Sequence, residues 1–171
     1  LDHLEVNPQG LVPVLEIDGQ VLTQSLAIIE YLNATRTESR LLPRTESGAQ
    51  RVRSVAYAIA MEIHPVCNLR VAAFATKFSV EPDTARKEWM QRFIGLGLAD
   101  VEAVLRGFPP STFCYGDAPT MADCCLVPQL YNADRWEVDL VQFPRLVSIW
   151  KNADELEAFR QAHPEVVGPP N

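Results

Sequence analysis

The chain has 171 residues, 47% hydrophobic and 22% charged, ordinary for one folded domain or one and a half small ones and too apolar for wholesale disorder. Lys plus Arg total 15 against 22 Asp plus Glu, a net charge of −7 with no basic block, which excludes a phosphate-tracking nucleic-acid surface. The longest apolar runs, at 55–61 and 124–127, fall far short of the roughly 20 residues of a membrane-crossing helix, so no membrane span is expected.

Residues 11–22 hold two short apolar runs around Asp18-Gly19, a dipeptide favoured where both turn residues take positive φ, and they predict a β-hairpin. Pro13 cannot donate to a ladder, so its strand lies at an edge or serves something other than pairing. In 25–32, Leu26, Ile29, Tyr31 and Leu32 mark a helical face, with Ser25 available to cap the first turn. The polar, proline-containing stretch 36–47 has no period and reads as a linker.

Beyond it the pattern is helical. Val52, Val55, Ala56, Ile59, Ala60 and Ile63 recur every three or four residues, predicting a long amphipathic helix kinked at His64-Pro65. A second helix starts at Glu81-Pro82, carries Trp89, Phe93, Leu96, Val101, Val104 and Leu105, and stops at Gly107 and Pro109-Pro110. Thr120 and Asp123 have the form of a reciprocal cap before the run 124–127, which explains Asp123 structurally, and Pro128 predicts a bend or an early stop. Residues 144–151 and 156–162 predict two closing helices, and 168–171 a tail without pattern. Trp89, Phe93, Trp136 and Trp150 read as core. Cys67, Cys114, Cys124 and Cys125 lack C-x-x-C spacing and any visible activating neighbour. They read as reduced thiols of a cytoplasmic protein, and no metal site is expected.

A hairpin with an unusual proline, a linker and an all-helical segment make an uncommon order of parts. Residues 7–32, NPQGLVPVLEIDGQVLTQSLAIIEYL, resemble the second half of the thioredoxin-like domain of cytosolic glutathione transferases, and 116–136, GDAPTMADCCLVPQLYNADRW, their helical-domain capping segment. NPQGLVP, TQSLAIIEYL, IHPVCNLRV and VPQLYNADRW are most similar to the zeta class, the maleylacetoacetate isomerases. The resemblance implies an α/β plus all-α fold: a partial thioredoxin-like domain at 1–35, the linker 36–47, and a helical domain at 48–171. It also implies an opening strand, helix and strand with a serine-serine-cysteine motif whose serine stabilises the glutathione thiolate. These residues do not contain that motif, so no catalytic residue is expected among them.

By this resemblance glutathione is the cofactor, an unsaturated dicarboxylate the small-molecule substrate, and a homodimer the assembly. The activity implied is glutathione-dependent cis-trans isomerisation of maleylacetoacetate. Maleylpyruvate isomerisation, general conjugation and a non-catalytic binding module are the alternatives. Val12 and Pro13, across a cis bond, would offer the Val12 N–H and C=O to the cysteinyl backbone of glutathione. Gln24 and Ser25, at a helix start, would hold its γ-glutamyl carboxylate. His64 and Asn68 are weaker candidates for contacts to glutathione or substrate. Arg135 would grip a substrate carboxylate through its planar fork, the alternative being a surface ion pair with Asp134, Glu137 or Asp139.

Overall fold

Asp18 and Gly19 adopt φ of 53° and 72°, the left-handed pair that a two-residue hairpin turn requires, and join β1 (Val14–Ile17) to β2 (Gln20–Thr23). The computed structural model describes residues 3–36, 38 and 40–168, and in it the two strands pair antiparallel from Val14 opposite Thr23 to Ile17 opposite Gln20. A short helix, α1 (His3–Val6), precedes them. Two strands alone are marginal in water. The hairpin leans on α2 (Ser25–Thr35), whose Tyr31 hydroxyl donates to Asp18 Oδ2 at 2.8 Å, while the Arg36 guanidinium donates to Asp18 Oδ1 at 2.8 Å. These bonds, the tyrosine's foremost, hold the Asp18 carboxyl below its usual range.

Within 36–47 the chain is fastened at several points; residues 37 and 39 lie outside the described ones. Asn33 Oδ1 accepts from both Leu41 N and Leu42 N at 2.9 Å, and the Leu41 carbonyl accepts from Met121 N at 2.8 Å. One side chain of α2 thus ties the connecting segment down, and that segment meets the start of a helix 80 positions further on. Helix α3 (Glu46–Tyr57) begins inside this stretch, where Thr45 Oγ1 accepts from Gly48 N at 3.2 Å. Across the junction Arg53 Nε donates to Glu30 Oε1 at 2.8 Å.

Val52, Val55, Ala56, Ile59 and Ile63 are buried, as their spacing predicts. The irregularity expected at His64-Pro65 falls earlier: Ala58–Ile63 is a π-helical stretch, followed at once by α4 (His64–Val66). Pro65 has no N–H to offer the preceding turn, and the widened turn lets His64 N donate to Ile59 O. This wide turn comes so close to the next long helix that a Cβ on Gly97 would collide with Ile63 Cγ1. Helix α5 (Leu69–Thr76), which the sequence pattern did not announce, starts at Asn68, whose Oδ1 accepts from Arg70 N at 3.0 Å.

Helix α6 (Pro82–Arg106) opens on Pro82 as predicted, but its buried stripe is Met90, Ile94, Leu98, Val101 and Leu105. Leu96 and Val104, expected inward, are 54% and 40% exposed. Packing decides which side turns inward: α6 lies against α5 and the π-helical stretch, the side facing them keeps the 3.6-residue repeat throughout, and the Trp89 and Phe93 rings border it as half-buried neighbours of the core. Helix α7 (Met121–Arg135) passes through Pro128 and ends seven residues later, so the early stop does not occur. Its hydrophobic side packs on α3 and the π-helical stretch, supplying Leu126, Leu130 and Ala133 to the core.

The chain closes with α8 (Pro144–Asp154), α9 (Glu157–Gln161) and α10 (Pro164–Val167). No residue of α8's own start caps it; Glu102, 2% exposed on α6, accepts from Arg145 N at 3.4 Å and Leu146 N at 3.1 Å. Trp136 and Trp150 pack against the core as read. Of the expected tail 168–171, residues 169–171 lie outside the described ones. Among the described residues no helix is long and apolar enough to cross a membrane.

Candidate functional site

The loop before β1 leaves the N–H and C=O of one residue, Val12, open. Asn7, 3% exposed, donates from Nδ2 to the Leu11 carbonyl at 2.7 Å and accepts from Gln9 N at 3.1 Å, and His3 Nε2 lies 3.1 Å from the same carbonyl. The next peptide, Val12-Pro13, is cis. Val12 is 83% exposed, and its N–H and C=O enter no hydrogen bond among the described residues. Pairing begins only at Val14, so a free donor and acceptor stand at the sheet edge, the arrangement an extended peptide needs to add as a further strand.

Gln24 sits beside this edge with φ 70° and ψ 112°, outside the regions a non-glycine residue favours and costing about 1 to 3 kcal/mol. Its side chain donates to Gln9 Oε1 at 2.9 Å, tying it to the Val12 loop. The structure corrects the role read for Ser25. An N-cap has non-helical dihedrals, and here that residue is Gln24; Ser25 is the first helical residue and caps nothing. The consequence favours a ligand: no side chain caps α2, and among the described residues the N–H groups of Ser25, Leu26 and Ala27 and the Ser25 hydroxyl have no partner. Free first-turn amides and the positive end of a helix dipole suit a carboxylate.

Ser25→Ala therefore separates two functions cleanly. With no cap to lose, the melting temperature should stay within about 2 °C, since alanine is also the better helix former. Glutathione affinity should fall by about 1.5 to 3 kcal/mol if the hydroxyl bonds a charged carboxylate. Thermal melting and titration calorimetry read the two, and a lowered melting point with unchanged affinity would return Ser25 to a structural role.

Arg135 closes α7 on the exposed side. None of the three carboxylates named as alternatives holds it. Lys87 Nζ takes Glu137 Oε2 at 2.7 Å, Val141 N takes Asp139 Oδ1 at 3.0 Å, and no ion pair to Asp134 forms among the described residues. The guanidinium carbon instead lies 5.9 Å from the centroid of the Tyr131 ring. His64 is exposed at the start of α4, and Asn68 spends its Oδ1 on the cap of α5. Among the described residues, no hydrogen bond or ion pair joins Arg135, His64 or Asn68 to the Val12 and Gln24 cluster.

The cysteine thiols are held protonated by burial. Burial pushes Cys67 and Cys124 up to about 11, and Cys125, with Cys124 beside it, to about 12. Burial, then the Asp123 carboxylate, raises Cys114 well above the ordinary thiol value. Asn7 and Gln9, which brace the Val12 loop and Gln24, were visible beforehand only as part of the motif NPQGLVP. The Asn-Pro-x-Gly turn was the available signal.

A two-stranded hairpin, a helix with a bare N-terminus and an all-helical domain are parts of the glutathione transferase architecture. Family models for the N-terminal and C-terminal domains of glutathione S-transferase match residues 1–35 and 85–167. The maleylacetoacetate isomerase of Rhizobium meliloti is 55% identical over 168 residues, 98% of this chain and 79% of that protein. The holo structure of a maleylpyruvate isomerase, a bacterial zeta-class glutathione S-transferase, superposes with a TM-score of 0.91 at 39% identity, covering 95% of this chain and 77% of the other. A maleylacetoacetate isomerase of Methylobacterium extorquens AM1 with bound malonate and glutathione gives 0.90 at 35% identity, covering 99% and 81%. The chain belongs to the zeta class of glutathione transferases, the family of the maleylacetoacetate isomerases.

Proposed function

We propose that the protein isomerises maleylacetoacetate to fumarylacetoacetate, a step in tyrosine and phenylalanine breakdown, using glutathione that is regenerated. The residues described fit glutathione. The free N–H and C=O of Val12 match its cysteinyl main chain, and the uncapped start of α2, with Gln24 and Ser25, matches its γ-glutamyl carboxylate. When bound, glutathione supplies a thiolate that adds reversibly to the conjugated double bond and leaves a single bond able to rotate. Holding that thiol ionised falls, by family resemblance, to a serine motif not among these residues.

The observation that carries the reading is Arg135. An exposed guanidinium without a carboxylate partner among the described residues, in a chain of net charge −7 and with acidic residues on either side, is available to an acidic substrate. Its fork would orient the diacid, while the edge at Val12 and the start of α2 fix the thiol donor. Maleylpyruvate is a second substrate that the same residues could hold, and the fold likeness to a maleylpyruvate isomerase favours keeping it in view. His64 and Asn68 belong to the proposed site as lesser contacts. We place the protein in the cytoplasm as a homodimer; the exposed Tyr57, Met61, Leu96 and Val104 on α3, the π-helical stretch and α6 offer apolar surface for pairing.

Turnover of maleylacetoacetate by the natural protein, with and without glutathione, is the test. The expected result is strict dependence on glutathione with none consumed. Isomerisation in its absence, or glutathione used up in proportion to product, would overturn the proposal.

A further inference from the structure

Tyr131 and Arg135 stand four residues apart on α7, and therefore on one face of the helix, with the guanidinium carbon 5.9 Å from the ring centroid. The Tyr131 ring meets a second ring, that of His163, at 5.0 Å between centroids and 79° between planes. His163 is itself held in place. Its Nδ1 accepts from Glu165 N at 3.3 Å as the cap of α10, and its carbonyl accepts from Val166 N and Val167 N. An arginine, an aromatic shelf and a brace thus connect the end of α7 to the closing segment of the chain, which carries no other candidate site residue.

Building on the proposal that Arg135 grips a substrate carboxylate, we propose that Tyr131 and His163 are its positioning residues. A carboxylate partner would consume the fork that substrate needs. An aromatic face holds the cation while occupying none of its five N–H donors, so the bidentate edge remains open. A free arginine loses side-chain freedom on gripping a ligand, and a shelf removes part of that loss beforehand. The brace acts one step further back: the His163 ring, packed edge-on against it, favours the Tyr131 rotamer that faces the guanidinium. Selectivity for acids over neutral electrophiles then depends on two side chains that never touch the substrate.

The experiment measures malonate affinity by calorimetry in the presence of glutathione on the natural protein, and KM and kcat for maleylacetoacetate. Tyr131→Leu should weaken malonate binding about two- to five-fold and raise KM by the same factor, with a smaller change in kcat. Tyr131→Phe, which keeps the ring, should restore both. At 163 the two functions of histidine separate. His163→Asn keeps a good helix cap but loses the ring and should weaken malonate, whereas His163→Phe loses the cap but keeps the ring and should not. Wild-type affinity in Tyr131→Leu, or weakening by His163→Phe alone, would overturn the positioning role. Arg135→Ala separates the two layers. If it weakens malonate and Tyr131→Leu does not, only the shelf is wrong; if it leaves malonate unaffected, the carboxylate assignment falls and the shelf with it.

Discussion

Asp123→Ala is expected to lower the stability of the fold by about 3 to 5 kcal/mol, roughly a 10 °C fall in melting temperature for a chain of this size. Asp123 is completely buried, and its carboxylate is the meeting point of three donors: Cys114 N at 2.9 Å, Thr120 N at 2.7 Å and the Thr120 hydroxyl at 2.8 Å. Two of these close the start of α7, and the third fastens the loop that leads into it. Truncation leaves two buried backbone N–H groups unpaired at about 1 to 3 kcal/mol each. Asp123→Asn should cost less, about 2 kcal/mol, because one acceptor survives while the new amide faces donors. Urea unfolding measures both. A loss under about 1 kcal/mol for alanine would mean that the loop and helix rearrange to satisfy themselves, and that α7 does not depend on this carboxylate.

How much of this was legible depended on how local the cause was. Asp18-Gly19 and the Thr120, Asp123 pair announce themselves because a turn and a helix start are fixed by residues within four positions of each other. The burial of Val52 through Ile63 followed from period alone. What escaped were features decided by partners distant in the chain. The π-helical stretch requires knowing how far back the turn yields to a proline; the shift of the α6 stripe from Leu96 to Leu98 is set by the helices it packs on. Glutamine carries no signal for positive φ, so Gln24 looked like the residue before a cap instead of the cap position itself. At the proposed site, the choice of Val12, Gln24, Ser25 and Arg135 comes from family resemblance, and the absence of a carboxylate on Arg135 among the described residues could not be read from the sequence. Nothing in the spacing of Asp134, Glu137 and Asp139 shows that Lys87, 50 residues before Glu137, takes that glutamate. Tyr131 and His163 lie 32 positions apart, and only packing brings their rings together.

The effect expected at Arg135 is the largest on function. A diacid with a reactive enone presents carboxylates to the protein and gathers further negative charge on its conjugated carbonyl during addition, so a fixed guanidinium should both orient it and hold that charge. Losing a charged hydrogen-bonded contact of about 1.5 to 3 kcal/mol corresponds to roughly a 10- to 100-fold rise in KM for Arg135→Ala. Arg135→Lys keeps the charge but not the planar fork and should fall between, about three- to ten-fold. Glutathione affinity should hardly change in either variant, since its main proposed contacts, Val12, Gln24 and Ser25, lie on the other domain, and neither these nor the lesser contacts His64 and Asn68 share a hydrogen bond or ion pair with Arg135 among the described residues. Stability should hardly change either: the guanidinium is exposed and makes no ion pair there, leaving only the Tyr131 contact to lose. A neutral electrophile such as a halogenated aromatic offers no carboxylate, so its conjugation rate should stay within about two-fold of wild type. The pattern across substrates decides the matter. Equal losses for acidic and neutral electrophiles would make Arg135 a general element of the cleft, and the preference for unsaturated acids would then have to come from cationic groups other than this one.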